Sequence, residues 1–266
     1  MVTLTLRESP SVPLEAETLS PDVVAGLTNE QIRSLPVYLG KRQQRVDDFF
    51  TVDGEASDEL MIRGDAARVK WIGRGMSRGR VVVDGNAGMH LGAEMRGGAI
   101  EVSGDASDWI GAEMTGGFIR IRGNAGGQVG AAYRGSLSGM TNGTIIVGGA
   151  AGLEVGMRMK RGTIVVGGPV RDFAGLQMKG GTIVLCGGAE LRTGAWMNRG
   201  TIISVAAVPL LPTFAYAATY APTFLALYVR YLARFGLTLP EGSYRRYIGD
   251  AAVPGKGEIL VWSGAA

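Results

Sequence analysis

The chain has 266 residues, a net charge of +3 and 43 glycines, or 43/266 = 16%, more than twice the usual share of about 7%. The glycines follow no three-residue period, which excludes collagen, and a hydrophobic content of 46% excludes a disordered chain. One cysteine (Cys186) and one histidine (His90) exclude an internal disulfide, a cysteine-ligated iron–sulfur cluster and a Cys/His zinc site, and so small a charge gives no indication of nucleic acid.

At the N-terminus, Met1 to Glu8 lacks a basic region followed by an apolar one, so no secretion signal is expected and the chain reads as cytoplasmic. Val2–Leu6 alternates like a strand. Thr28 fits a helix N-cap, with Gln31 completing a capping box and Leu27 and Ile32 forming a hydrophobic staple. Residues 49–52 and 60–62 read as shorter lead-in repeats, and residues 1–63 together predict a cap on the chain beyond them, because a bare terminal strand is an exposed sheet edge.

From Gly64 the chain repeats itself. GNAGMHLGAEMRGGAIEVS from Gly85 aligns without a gap on GDASDWIGAEMTGGFIRIR from Gly104, each 19 residues long. The frame restarts at Gly123, Gly149, Gly168 and Gly187, and a looser copy begins at Gly64, giving seven copies over 64–205; the Gly123 copy carries seven extra residues around 135–141. Each copy holds G-x-x-[M/Y], as in Gly92/Met95, Gly111/Met114 and Gly130/Tyr133, then a second glycine such as Gly98, Gly117 or Gly143. A short alternating strand comes next, with inward positions such as Ile100/Val102 and Ile119/Ile121. Nineteen residues cannot enclose a core alone, so stacking is required: the predicted fold is an all-β, right-handed parallel β-helix of seven coils spaced about 4.8 Å apart. The methionines then form an internal packing ladder. Asp65, Asn86, Asp105 and Asn124 share one corner, where left-handed backbone is expected.

Stacking turns equivalent positions into columns. Trp71, His90 and Trp109 share one with Gln128, Glu154, Phe173 and Arg192; the next column inward (Ile72, Leu91, Ile110, Val129, Val155) is apolar, so the rings are expected to face outward as a candidate partner interface. The outward strand residues Ile146, Val165, Val184 and Ile203 form an apolar stripe, to be covered either by residues 206–235 or by a partner subunit. At another corner, Arg78, Arg96, Arg134, Lys160, Arg161, Lys179 and Arg199 put a cation on six of seven copies. Glu94 and Glu113 succeed each other as the acid pair a β-helix polysaccharide-active enzyme would use, whereas Cys186 reads as a structural thiol. No nucleophile or base accompanies His90, so no catalytic residue and no metal site is assigned.

Beyond Ser204 the repeat is lost. Residues 200–229 carry no charge, yet Pro209, Pro212 and Pro222 break the stretch, so no membrane helix is expected. Phe224, Leu227, Tyr228, Tyr231, Leu232 and Phe235 form one helical stripe, predicting a helix over about 222–235 that ends at Gly236, within a C-terminal extension 206–266.

The glycine repeat resembles the GXGXG β-helix family, which includes the C-terminal domain of the glutamate synthase large subunit and the C subunit of formylmethanofuran dehydrogenase. GLTNEQIRSLPVYLG followed by DDFFTV looks like the lead-in of that C subunit, and LLPTF, YRRYIGD and GKGEILVW look like the bacterial form, from formyltransferase/hydrolase complexes of methylotrophs. The resemblance implies a scaffold in a four-subunit complex with an amidohydrolase-like subunit, a formyltransferase subunit and one more. That complex would convert formyl-tetrahydromethanopterin to formate through a methanofuran-type carrier. Catalysis and metal would lie on the other subunits, with no cofactor on this chain, and the basic corner would bind the carrier's glutamate tail or an acidic partner. A molybdenum or tungsten formylmethanofuran dehydrogenase is the alternative complex.

Overall fold

A computed structural model describes residues 1–264. The N-terminal part runs β1 (Val2–Leu6), β2 (Leu14–Glu15), α1 (Pro21–Val24), α2 (Asn29–Arg33), β3 (Pro36–Leu39), β4 (Arg42–Arg45), α3 (Val46–Phe49), β5 (Phe50–Gly54), β6 (Glu59–Arg63) and β7 (Val69–Lys70). The repeats supply β8 (Arg80–Asp84), β9 (Ala99–Val102), β10 (Phe118–Ile121), β11 (Thr144–Val147), β12 (Thr163–Val166), β13 (Lys179–Leu185) and β14 (Arg199–Ser204). The C-terminal part adds β15 (Ala215–Tyr220), α4 (Leu225–Ala233), β16 (Ser243–Gly249) and β17 (Gly257–Gly264).

One mostly parallel sheet of 13 strands organises the molecule. Its order is β15-β16-β17-β14-β13-β12-β11-β10-β9-β8-β6-β1-β5. Strand β1 and β6, then β8 through β14, then β17 all run parallel, while β5 at one end and β15 and β16 at the other are antiparallel. Two further rows tie the same repeats together. Parallel bridges link Ala66, Ala87, Ala106, Ala125, Ala151, Val170 and Ala189 in succession. Amide-to-carbonyl bonds such as Gly92 to Ile72, Gly111 to Leu91 and Gly130 to Ile110, each 2.8–2.9 Å, form the third. A smaller sheet, β4-β3-β2-β7, lies in the N-terminal part. No helix among the described residues is long and apolar enough to cross a membrane.

The motif has a steric cause. A Cβ on Gly92 would stand 2.7 Å from the Ile119 Cδ1 of the next repeat, and one on Gly117 would stand 2.6 Å from the Met95 methyl of the previous one; both backbones have positive φ. The first glycine therefore makes room for an isoleucine and the second for a methionine. The inward columns are completely buried: Met76, Met95, Met114, Met159, Met178 and Met197 have no exposure.

The Gly123 copy departs from the expected register. Tyr133 is not in the methionine column; Met140 is, fully buried, with its amide on the Gly130 carbonyl (2.9 Å) and its methyl where a Gly162 Cβ would go. The inserted residues are thus 133–139, placed slightly earlier in the chain than the sequence pattern indicated. Left-handed backbone also falls elsewhere than expected. Asp65, Asn86, Asp105 and Asn124 are absent from the positive-φ residues; instead their side chains accept hydrogen bonds from the next repeat, as in Asp105 N to Asn86 Oδ1 (2.9 Å) and Asn124 N to Asp105 Oδ1 (2.7 Å).

Both ends differ from expectation in detail. The capping box at Thr28 and Gln31 is present, with side-chain bonds of 2.9 and 3.3 Å. Residues 49–52 enter no parallel repeat; β5 instead closes the sheet antiparallel to β1. At the other end β17 returns to pair parallel with β14, Ile202 opposite Ile259, and Gly257 receives the Met197 methyl. One more rung of the parallel stack therefore lies inside the stretch read as an extension.

Helix α4 spans Leu225–Ala233, shorter than predicted; Tyr228, Tyr231, Leu232 and Phe235 of the predicted stripe pack on the sheet, whereas Phe224 and Leu227 do not. Leu225 and Leu232 are buried while Phe224 and Leu227 are exposed. The buried pair, with Tyr228 and Val229, covers Ile146, Val165, Val184 and Ile203, all at most 1% exposed. The chain's own helix thus occupies the apolar stripe. Ile146, Val165 and Val184 are not available as a partner interface.

Candidate functional site

Two columns of non-glycine residues adopt left-handed backbone: Trp71, His90, Trp109, Gln128, Glu154, Phe173 and Arg192 in one, Glu94, Glu113, Arg158, Gln177 and Trp196 in the other. This conformation costs a substituted residue about 1–2 kcal/mol, so the repeat architecture must hold it in place.

The first column brings its rings together. Trp71 and His90 stack at 4.1 Å between centroids and 9° between planes; Trp109 lies 6.4 Å from His90 on the other side. Tyr133, released from the interior by the insertion, stacks on Trp109 at 4.9 Å, and its hydroxyl lies 2.9 Å from His90 Nδ1. Arg74 lies over the Trp71 ring at 4.6 Å and is held by Glu17 and Glu94. All four rings are half-buried. Burial, reinforced by Lys70 and Arg74, lowers the His90 pKa to about 4, and burial together with Glu94 and Glu113 pushes the Tyr133 phenol well above its ordinary value. At neutral pH both groups are uncharged, and neither is poised to exchange a proton. The acid pair is engaged as well: Glu94 binds Arg74, and Glu113 accepts the Tyr133 amide at 2.9 Å. The sequence did not place Tyr133 in this cluster; the break in the repeat at Gly130 was the only available sign.

The basic corner is reshaped. The Thr141 amide donates to the Met114 carbonyl just as Arg96 donates to Met76 and Lys160 to Met140, so Thr141, not Arg134, holds the column position. Arg134 lies in the inserted loop, exposed. Arg78 and Arg96 therefore stand apart from Lys160, Arg161, Lys179 and Arg199, with Thr115 and Thr141 between them and a cavity of about 400 Å3 at that gap. The Cys186 thiol is half-buried, and burial raises its pKa. Among the described residues, no three His, Cys, Asp or Glu side chains gather as metal ligands would.

Stacked rungs interlocked through their glycines define a glycine-repeat protein. The family model for the GXGXG motif matches residues 61–207, more than half the chain, and the chain belongs to that family. It is 39% identical over 97 residues to the C subunit of the tungsten-containing formylmethanofuran dehydrogenase 2 of Methanothermobacter thermautotrophicus, covering 35% of this chain and 36% of that one. It is 45% identical over 83 residues to the C subunit of the molybdenum-containing formylmethanofuran dehydrogenase 1 of Methanothermobacter marburgensis, covering 30% and 21%. These alignments thus span about a third and a fifth of the curated relatives. Among solved structures, one chain of the formyltransferase/hydrolase complex from Methylorubrum extorquens, crystallised with methylofuran, is similar over 98% of this chain and 100% of its own, with 34% identity and a TM-score of 0.91.

Proposed function

We propose that the chain is the non-catalytic scaffold subunit of a four-subunit formyltransferase/hydrolase complex of one-carbon metabolism. The observation that carries this reading is the end-to-end likeness to a chain of such a complex. It includes the C-terminal segment, which the short matches to the dehydrogenases are too brief to span together with the repeats. In this reading the three bonded rows are three faces of a right-handed parallel β-helix whose seven coils occupy 64–205, with 1–63 as cap and 206–256 as the flank that precedes the added rung β17. The complex works in the cytoplasm on a methanofuran-type carrier and tetrahydromethanopterin. Its metal and catalytic groups reside on the amidohydrolase-like and formyltransferase subunits, and a fourth chain completes the assembly.

Trp71, His90 and Trp109, joined by Tyr133, serve as a docking surface for one of those subunits: stacked, half-buried rings lose the rest of their exposure at little entropic cost. The separated cations at Arg78, Arg96, Lys160, Arg161, Lys179 and Arg199 offer carboxylate contacts to a carrier tail or an acidic partner. A molybdenum or tungsten dehydrogenase is the second reading, favoured by the curated relatives. Affinity purification of the tagged chain from its own cells tests both. Amidohydrolase- and formyltransferase-type partners support the scaffold, a molybdopterin-bearing partner supports the alternative, and a lone chain that cleaves polysaccharide overturns both. Trp109→Ala should release one subunit from the purified complex; full recovery of that subunit would remove the docking role.

A further inference from the structure

The inserted loop does more than free Tyr133. Together with the turn near Val253 it flanks a groove of about 420 Å3 lined by Leu137, Arg158, Gln177, Lys179, Trp196, Asn198 and Val253. Leu137 is 76% exposed and Trp196 is 48% exposed, among the most open large apolar side chains of the molecule. Trp196 is fixed there by left-handed backbone and by the hydrogen bond its backbone N–H donates to Asp250 Oδ2 (2.8 Å).

Two of the cations shape the groove. Arg158 reaches Gln177 Oε1 (2.7 Å) and the Ser136 carbonyl (2.6 Å), and Lys179 donates to the Leu137 carbonyl (2.6 Å), so both hold the loop through neutral oxygens. Lys160 and Lys179 occupy successive positions of the same column, and Arg161, Arg199 and Lys256 lie beside it. Among the described residues none of these cations is paired with a carboxylate. A strip of positive charge thus borders an open indole and an open leucine.

We propose that this groove docks an acidic segment of another subunit, an extended peptide that sets an apolar side chain against Trp196 and Leu137 between carboxylates that meet Lys160, Arg161 and Lys179. The inference rests on the scaffold reading and assigns that scaffold a second contact surface, distinct from the aromatic stack. Charge complementarity selects an acidic occupant, and the apolar pair selects a peptide over a bare polyanion, which would leave Trp196 and Leu137 uncovered.

The test uses the full chain and two fluorescein-labelled probes: a peptide with an Asp-Glu-Phe-Asp-Glu core, and hexaglutamate. The Phe-containing peptide should bind at least roughly tenfold more tightly, with Trp196→Ala removing that advantage and leaving hexaglutamate binding unchanged. The triple variant K160E/R161E/K179E, verified as folded by its circular dichroism, should bind neither probe. Equal binding of the two probes would overturn the inference in favour of a general polyanion edge; no binding, or binding indifferent to the triple variant, would overturn it outright. In cells, wild-type and triple-variant chains recovering the same full set of subunits would refute the groove while leaving the scaffold intact. A wild-type chain recovering none would refute the scaffold itself.

Discussion

If the first glycine of each repeat exists to admit an isoleucine from its neighbour, filling that space should harm the protein in a way the isoleucine alone can relieve. Gly175 is the cleanest site. An added Cβ would meet Ile202 Cδ1 at 2.7 Å, with every other neighbour at 3.6 Å or beyond, on a backbone of φ 73°. Gly175→Ala therefore carries about 1–2 kcal/mol for left-handed alanine and about 1–3 kcal/mol for overpacking. Ile202→Val deletes the offending methyl and alone costs about 0.5–1.5 kcal/mol. In the double variant the clash disappears and the new Cβ fills the space left by the methyl. The loss should then fall below the sum of the single losses by at least about 1 kcal/mol, a coupling expected of residues in contact. Urea unfolding of the four proteins, monitored by circular dichroism, closes the cycle. Losses that add to within about 0.5 kcal/mol would show that the glycine is required by its backbone alone, and the packing explanation of the motif would fail.

Excising residues 133–139 joins Ala132 to Met140 and restores the regular G-x-x-M spacing; the thermal midpoint should move by no more than about 4 °C, the equivalent of ~1 kcal/mol in a chain of this size, and loss of a cooperative melt would refute the register. Val165→Glu places an unpaired charge beneath α4 and should cost about 3 kcal/mol or more, opening residues 206–242 to limited proteolysis; unchanged protease resistance would show that α4 does not seal that face. His90, tracked by the NMR shift of its ring proton, should titrate near 4. Because the folded pKa lies below the unfolded value of 6.5, the unfolded chain binds the extra proton, and the His90 contribution to stability declines as pH falls from about 6.5 to about 4 and is constant below. A midpoint near 6.5 would mean that the stack with Trp71 is open to water.

The sequence disclosed whatever repeats with a fixed period and hid whatever breaks it. Columns such as Met95/Met114 and Ile100/Ile119 were legible because each rung solves the same packing problem with the same residue types. Tyr133 misled because it stands three residues after Gly130, where a methionine belongs, and only the packed interior distinguishes it from Met140. The left-handed corners were misplaced for a related reason. Asp and Asn tolerate positive φ, but at positions 65, 86, 105 and 124 their side chains serve as acceptors for the next rung, while tryptophan, histidine and glutamate take the strained backbone. In α4, Tyr228, Tyr231 and Leu232 were legible as packing residues, but Leu225 and Val229 are as apolar as Phe224 and Leu227, so composition did not settle where the packed face ends. Of the surfaces, the aromatic stack was legible from column arithmetic. The Trp196 groove was not, since its two lips come from an insertion and a distant turn.

The return of β17 carries a consequence for how the molecule assembles. Most neighbouring rungs are joined across 19 residues, and such short closures cost little chain entropy, so the stack can grow by addition from any nucleus. The bond between Thr201 and Glu258 spans 57 residues, and its strand meets β14 only after the β15, α4 and β16 excursion has been accommodated. That closure and the parallel pairing of β1 with β6, in which Val2 lies opposite Leu60, are the most topologically remote steps of the parallel stack and should come late in folding. Until then β14 presents an open strand edge, so the folding intermediate, rather than the finished protein, is the species most exposed to misassociation.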